Sequence, residues 1–273
     1  MYPHMRRCPE PAAMESPSSV EAFHAEGEST GALRSIYHFN ALAMSRLLPR
    51  GATVVDLGCG SAQYLLYLAQ CRPDIQVVGL DLSEAMVRLG NRSLERAGFA
   101  GRVRLHIADM THFKHQIPDS VDLISSVFAL HHLPTTENLL VSLKEIAAIA
   151  SETGCAVWLF DHVRPRCVRT AEEFPVIFTP QASSAFQQDS RNSLCAAFSF
   201  REVCSLLDQN SSVAWNHARS RLLRLYQVHW VGPSDRQPHS GHELFVRQRL
   251  TVMANQEFRQ LRRILEVPLV DIA

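Results

Sequence analysis

The chain lacks any paired-cysteine pattern. Its seven cysteines, Cys8, Cys59, Cys71, Cys155, Cys167, Cys195 and Cys204, are odd in number and scattered, with no C-x-x-C. That excludes a disulfide framework and a zinc knuckle, suits a reducing, cytoplasmic compartment, and gives no reason to expect a metal. Charge of one sign is also missing. Lys+Arg and Asp+Glu both total 27, which counts against a strongly basic nucleic-acid binder and against a membrane-surface protein. Lysine is nearly absent, at positions 114 and 144 only, a habit of composition with no chemistry attached. No apolar run reaches the roughly 18 residues that a membrane span needs. Arg6 and Arg7 are followed by no apolar stretch, so no signal peptide is expected. With Gly 12, Pro 14 and 46% hydrophobic residues among 273, collagen-like, fibrous and wholly disordered chains are excluded. A chain of this length can bury a sizeable core without staples.

What is present divides into three parts. Residues 1–31, rich in Pro, Ser, Glu and Ala, read as a flexible arm with one short helix near Val20–His24. Residues 32–231 read as one domain. A helical period runs from Ala32 to Leu48, and Pro49 and Gly51 end it. Short apolar runs then alternate with helical stretches. Strands are expected at Thr53–Leu57, Ile75–Leu80, Val103–Ile107, Val121–Ser126 and Ala156–Phe160, and helices at Ala62–Cys71, Ser83–Ala97 and Glu137–Ala150. This order implies right-handed crossovers and an α/β, Rossmann-like, doubly wound parallel sheet.

Residues 163–198, holding Pro165, Pro175 and Pro180, read as an irregular or weakly helical insert that serves as a lid. A helix at Phe200–Leu207 and strands at Val213–Arg219 and Leu222–Val231 complete the domain. The remainder, 232–273, reads as a polar loop over 232–241 and an amphipathic helix over Glu243–Leu265. Arg247, Arg249, Arg259, Arg262 and Arg263 lie on that helix's polar side. A solvated face is the default reading of such a run, and a homodimer contact the sharper one.

In an open parallel sheet ligands bind beyond the carboxyl ends of the strands. The first strand ends in Asp56-Leu57-Gly58-Cys59-Gly60-Ser61-Ala62, where the two glycines permit a tight turn and close approach of a ligand to the backbone. The second ends at Asp81, 23 positions after Gly58, where a carboxylate can take ribose hydroxyls. The third ends at Asp109, where a carboxylate can accept from an exocyclic amine. Each residue alone could be a turn or a cap. All three in order, each after its own strand, point to a nucleoside cofactor. A dinucleotide turn wants a third glycine where Gln63 stands, and Asp56 would repel a pyrophosphate. Asp56 instead suits a cofactor bearing an amine and a sulfonium.

These residues resemble class I S-adenosylmethionine-dependent methyltransferases, in particular the small-molecule, ubiquinone/menaquinone-biosynthesis-like (type 11/25) branch. Asp56–Ala62 is similar to the family's first motif, Gly79–Met86 to the second, Ala108-Asp109-Met110 to the adenine-contacting motif, and Asp122–Pro134 to the stretch that follows. The resemblance covers Ala32 to Leu225. It implies a seven-stranded sheet with an antiparallel last strand and S-adenosyl-L-methionine as cofactor. It also implies roles. Gly58, Cys59 and Gly60 would hold the methionine part, and Asp56 its amino group. Asp81 would take the ribose, with Leu82 against the adenine. Asp109 and Met110 would hold the adenine edge, and Ser126 and Phe128 would lie near the sulfonium. The N/D-P-P-Y/F motif of amino-methylating nucleic-acid and glutamine enzymes is absent at Ser125-Ser126-Val127-Phe128.

The implied reaction is an in-line methyl transfer to an O, N or C nucleophile of a small molecule. His131, His132 and Asp161 are the candidates for proton handling, and the alternative for the two histidines is a structural role at a helix entry. His162, Arg164 and Arg166 could also face the substrate. The alternatives are a protein or RNA methyltransferase on the same scaffold and a cofactor-binding protein without turnover. No nucleic-acid partner and no membrane span are expected.

Overall fold

The computed structural model describes residues 5–209, 212–221, 224–234 and 240–270. In chain order the elements are α1 (Pro17–Glu26), α2 (Arg34–Ser45), β1 (Thr53–Leu57), α3 (Gln63–Cys71), β2 (Gln76–Asp81), α4 (Glu84–Ala97), β3 (Val103–Ile107), β4 (Leu123–Val127), α5 (Thr136–Thr153), β5 (Ala156–His162), α6 (Val168–Phe178), α7 (Ser184–Ala196), α8 (Phe200–Asp208), β6 (Asn216–Arg219), β7 (Tyr226–Val231) and α9 (Val252–Leu265). Helix starts follow local chemistry. The hydroxyl of Ser83 accepts from Met86 N at the head of α4, and Ser199 and Glu202 form a reciprocal cap on α8.

Among the described residues one sheet of seven strands has the order β3-β2-β1-β4-β5-β7-β6. β1 to β5 run parallel, while β7 pairs antiparallel with both β5 and β6. The chain winds outward from β1 to β3 and then returns to β4. The winding therefore reverses between β1 and β4, which opens a crevice beyond their carboxyl ends.

The strands read as unbroken apolar runs because both faces are covered. Successive side chains point to opposite faces. Val54, Leu123, Trp158 and Phe160 enter one core with α2, α3 and α9. Val55, Ile124, Val157 and Leu159 enter the other with α5 and α8. α2 is buried along its length, and its Asn40 accepts the Trp158 indole N–H at 2.7 Å.

Residues 163–198 follow the helical of the two readings given for the insert: α6 and α7 occupy most of it, with Pro175 inside α6. Two expectations change. The last helix begins at Val252 rather than Glu243, and its buried face is Phe258, Leu261 and Leu265 on α2 of the same chain, while Val246 and Met253 are exposed. That apolar face is covered within the chain. Second, residues 5–26 lie against the domain as a strap ending in α1. Met5 N donates to Arg166 O and Cys8 N to Cys195 O. The expected start of the last strand at Leu222 and the loop residues 235–239 lie outside the described residues. No helix of the described residues is long and apolar enough to cross a membrane.

Candidate cofactor and methyl-transfer site

A cavity of about 250 Å³ lies beyond the carboxyl ends of β1, β2, β3 and β4. Asp56, Gly58, Cys59, Gly60, Asp81, Leu82, Asp109, Met110, Phe128, His131 and His132 all line it, so four strand ends and the turns after them converge. Ser126 does not. Its hydroxyl turns away and donates to Leu57 O at 3.0 Å. Asp161 stands behind the wall, in contact with His131 and His162.

The turn after β1 is left-handed at Gly58 (φ +72°), Gly60 (φ +53°) and Ala62 (φ +60°). At Gly58 a Cβ would fall 2.2 Å from Ala129 Cβ, so only glycine lets the turns after β1 and β4 meet. At Gly60 a Cβ would meet nothing nearer than Phe23 at 3.5 Å, so that glycine serves conformation. Cys59 turns its Sγ inward toward Gly79 and leaves its backbone at the cavity. Phe128 also has a left-handed backbone (φ +58°), a strained conformation for a bulky residue, and stacks on His162 with centroids 4.3 Å apart.

Asp56 is 2% exposed, and its Oδ1 accepts the Ser125 hydroxyl at 2.5 Å. Burial pushes its carboxyl up to about 7, against the Ser125 bond and with help from the charge of Asp81. Asp81 is also raised by burial, although it accepts from Ser83 N at 2.8 Å and Gly60 N at 2.7 Å. Asp109 is exposed and accepts both the N–H and the hydroxyl of Thr111 at 2.8 Å. Each carboxylate keeps lone pairs for a ligand.

His131 is 3% exposed. Its Nδ1–H donates to Asp161 Oδ1 at 2.6 Å, and its backbone N–H donates to Oδ2 at 2.9 Å. Burial disfavours the imidazolium, but Asp161, and then Glu10 with its Oε1 3.4 Å from Nε2, outweigh it and hold His131 above its usual value. Asp161 is correspondingly held low, since the His131 charge and bond outweigh its burial. His132 and His162 are pushed by burial to about 4 and about 3, so both are neutral at pH 7. His162 lines the cavity, and its Nδ1 is buried without a partner. Arg164, weighed as a substrate contact, is instead tied to Glu202 at 3.0 Å and to Ala197 O.

Several cavity residues had no signal in the sequence. Ala12, Ala13 and Met14 of the strap wall the cavity, as do Tyr37 of α2, Tyr64 of α3 and Phe186 of α7. Helical periodicity marks Tyr37 and Tyr64 only as core, while Phe186 belongs to the insert read as a lid. The strap has no periodicity at all.

Residues 54–154 match the family model described as a methyltransferase domain. An uncharacterized protein of Haemophilus influenzae is 33% identical over 136 residues, which is 48% of this chain and 51% of that protein. A carboxy-S-adenosyl-L-methionine synthase of Campylobacter concisus is 36% identical over 74 residues, or 27% of this chain and 31% of that one. The chain thus spans about half or less of the length of these curated relatives.

Among solved structures, the plantazolicin methyltransferase BamL, solved with a triazolic desmethylPZN analog and SAH, superposes with a TM-score of 0.59 at 15% identity, over 80% of this chain and 91% of that one. A SAM-dependent methyltransferase from Aquifex aeolicus gives 0.55 at 17% identity, over 80% and 98%. At such identities these two establish the fold. Residues 54–154 are therefore a methyltransferase domain of the Rossmann-like class. Within that class these residues are similar to class I S-adenosylmethionine-dependent methyltransferases of the type 11/25 branch, whose cofactor is S-adenosylmethionine.

The cavity fits that cofactor. Asp56 is a buried carboxyl with no cationic partner among the described residues, and the amino group of a methionyl moiety would supply one. Leu82, 44% exposed at the end of β2, and Met110 offer apolar surface to a purine beside Asp109.

Proposed function

We propose that the chain is a methyltransferase that passes a methyl group to a small-molecule acceptor whose nucleophilic atom gives up a proton. The observation that carries this reading is the convergence of Asp56, Asp81, Asp109 and the Gly58–Gly60 turn on one cavity that also holds His131 and His162.

When bound, S-adenosylmethionine supplies an activated methyl on a sulfonium. The protein's part is placement and proton handling. Asp56 and the Gly58–Gly60 backbone hold the amino-acid end, Asp81 the ribose hydroxyls, and Asp109 with Leu82 and Met110 the adenine. Phe128 and neutral His162 form a flat wall for the acceptor. His131, aligned by Asp161, takes the acceptor's proton on Nε2 once Glu10 gives way. The strap, α6 and α7 keep water out and limit the acceptor to a small molecule.

Asp81→Ala is expected to weaken S-adenosylhomocysteine binding by about 1.5–3 kcal/mol, the worth of a hydrogen bond to a charged group. Calorimetry checks it, and unchanged affinity would remove the ribose from this carboxylate. Methyl-labelled cofactor incubated with a lysate should leave label in the low-molecular-mass fraction. Label in protein or RNA would overturn the small-molecule reading. The likeness to carboxy-S-adenosyl-L-methionine synthases favours a second reading, in which the chain alters the cofactor itself; the mass of the recovered cofactor separates the two.

Asp56 gives a pH dependence. Its carboxyl titrates at about 7, and only the ionised form pairs with an ammonium. Cofactor affinity should fall toward tenfold per pH unit below 7, and Asp56→Asn should flatten that slope. For folding of the free chain the sign is opposite. A carboxyl raised above its unfolded value contributes stability below that value, which is lost as pH rises through about 7.

A further inference from the structure

A second cluster of ligating side chains lies at the far border of the sheet. In the β6–β7 pair His217 stands directly opposite His229, which places both imidazoles on one face. Their Nδ1 atoms are 2.7 Å apart. Cys204 of α8 completes a group whose ligand atoms all lie within 4.8 Å of one another.

The outer nitrogens of both rings are already committed. His229 Nε2 is 3.1 Å from Gln227 Oε1. Gln227 presents its oxygen there because its Nε2 donates to the carbonyls of His162 and Phe198 at 2.7 and 3.2 Å. His229 therefore carries its proton on Nε2 and a lone pair on Nδ1. His217 Nε2 faces Asp208 Oδ1 at 3.4 Å, which sets the same tautomer. Two lone pairs then point at each other across 2.7 Å, an arrangement that calls for a shared cation.

A proton could fill that role for two imidazoles alone. The thiol beside them, and the amide oxygen and carboxylate that orient the rings from behind, make a better match to a borderline-soft divalent ion. We infer that Cys204, His217 and His229 form a Zn²⁺ site that ties α8 and the edge strand β6 to β7. The Cys204 S–H bond breaks, its proton leaves to solvent, and an S–Zn bond forms. Tetrahedral ligands at 2.0–2.1 Å would set the two nitrogens about 3.3 Å apart. The half-buried His217, on an edge strand of four residues, can turn to allow this. A water completes the coordination. The site is independent of the methyl-transfer reading, and its ligands are too dispersed in sequence to form a motif.

The test uses the full chain, stripped with a chelator and titrated with Co²⁺ alone, then with Zn²⁺ in competition. One equivalent is expected, with the visible bands of a four-coordinate ion and a thiolate-to-cobalt charge-transfer band. Cys204→Ser should abolish the charge-transfer band, and Cys195→Ser should leave it. Asp208→Asn should weaken binding about 10–100-fold, as loss of an orienting partner does elsewhere. With Zn²⁺ at a hundred times its Kd, Tm should rise by roughly 5 °C. No bound cobalt, or a charge-transfer band that survives Cys204→Ser, overturns the assignment.

Discussion

Asp161→Asn is expected to lower kcat by about 10²–10³-fold, within the range that a positioned proton acceptor contributes. The residue does not line the cavity, so it acts through its neighbours. Its carboxylate takes the Nδ1–H and the backbone N–H of His131 and also the backbone N–H of His162 at 2.6 Å. That fixes the His131 tautomer with the lone pair on Nε2, the atom that faces Glu10, and it raises the imidazole's affinity for a proton. An asparagine of the same shape keeps the packing but loses the charge and sets an amide N–H against one of these donors.

The distinguishing readout is the pH profile. In the wild type, activity should rise with pH through an ionisation above His131's ordinary value of 6.5. In the variant that limb should move to lower pH, while the plateau falls and cofactor affinity holds. A merely structural role would instead lower stability and cofactor affinity together and leave the limb in place. The stability signs follow the same pair. The raised histidine contributes fully below its unfolded value of 6.5, and its contribution fades as pH climbs through the folded value. The lowered Asp161 contributes above its unfolded 3.8, and its contribution is lost as pH falls through the folded value.

The convergence of the strand-end residues on one cavity is legible in the sequence because its signals are local. Each strand-end carboxylate sits directly after an apolar run, and the glycines of the β1 turn are contiguous with Asp56. The parallel sheet brings such strand ends together as a consequence of winding. Ser126 shows the limit of that logic. It occupies the right strand end, yet alternation along β4 sends its hydroxyl to Leu57 O, while Ser125 reaches Asp56.

The insert reads as only weakly helical for a different reason. α6 holds Pro175, which removes a helical donor, and α7 is polar with few apolar positions. Tertiary contact with the strap and with the turn at Leu130–His132 stabilises what propensity alone does not announce. The early start given to the last helix has a similar cause: its apolar positions continue upstream of Thr251, but Val246 there is exposed.

The strap was least legible, and its anchoring residue leads to the second large effect. Arg7→Ala is expected to speed cofactor dissociation by about 10²-fold. The Arg7 guanidinium donates to the carbonyls of His131, Leu133, Pro134 and Ala196 and stacks 3.9 Å over the Phe198 ring. No periodicity encodes such contacts, since the partners are backbone oxygens left where the Leu130–His132 turn and α7 end. A cation is well placed at those oxygens, and its planar fork reaches several at once. Each such bond is worth about 1.5–3 kcal/mol when made to a charged group, and they will not sum in full because the carbonyls regain water when the arm lifts. A net loss of about 3 kcal/mol corresponds to roughly 10²-fold.

The remaining ties are weaker. Glu10 reaches His131 and Ser193, Pro11 O accepts from His132, and Met14 O accepts from Ser83. Releasing Arg7 therefore uncovers the cavity wall formed by Ala12, Ala13 and Met14. Stopped-flow dissociation of S-adenosylhomocysteine, read beside tryptic cleavage after Arg6, measures both parts. Faster cleavage with unchanged dissociation would mean that the strap decorates the site without closing it. Arg7→Lys should recover only part of the effect, because an ammonium has no planar fork to span four carbonyls and no flat face to lay on Phe198.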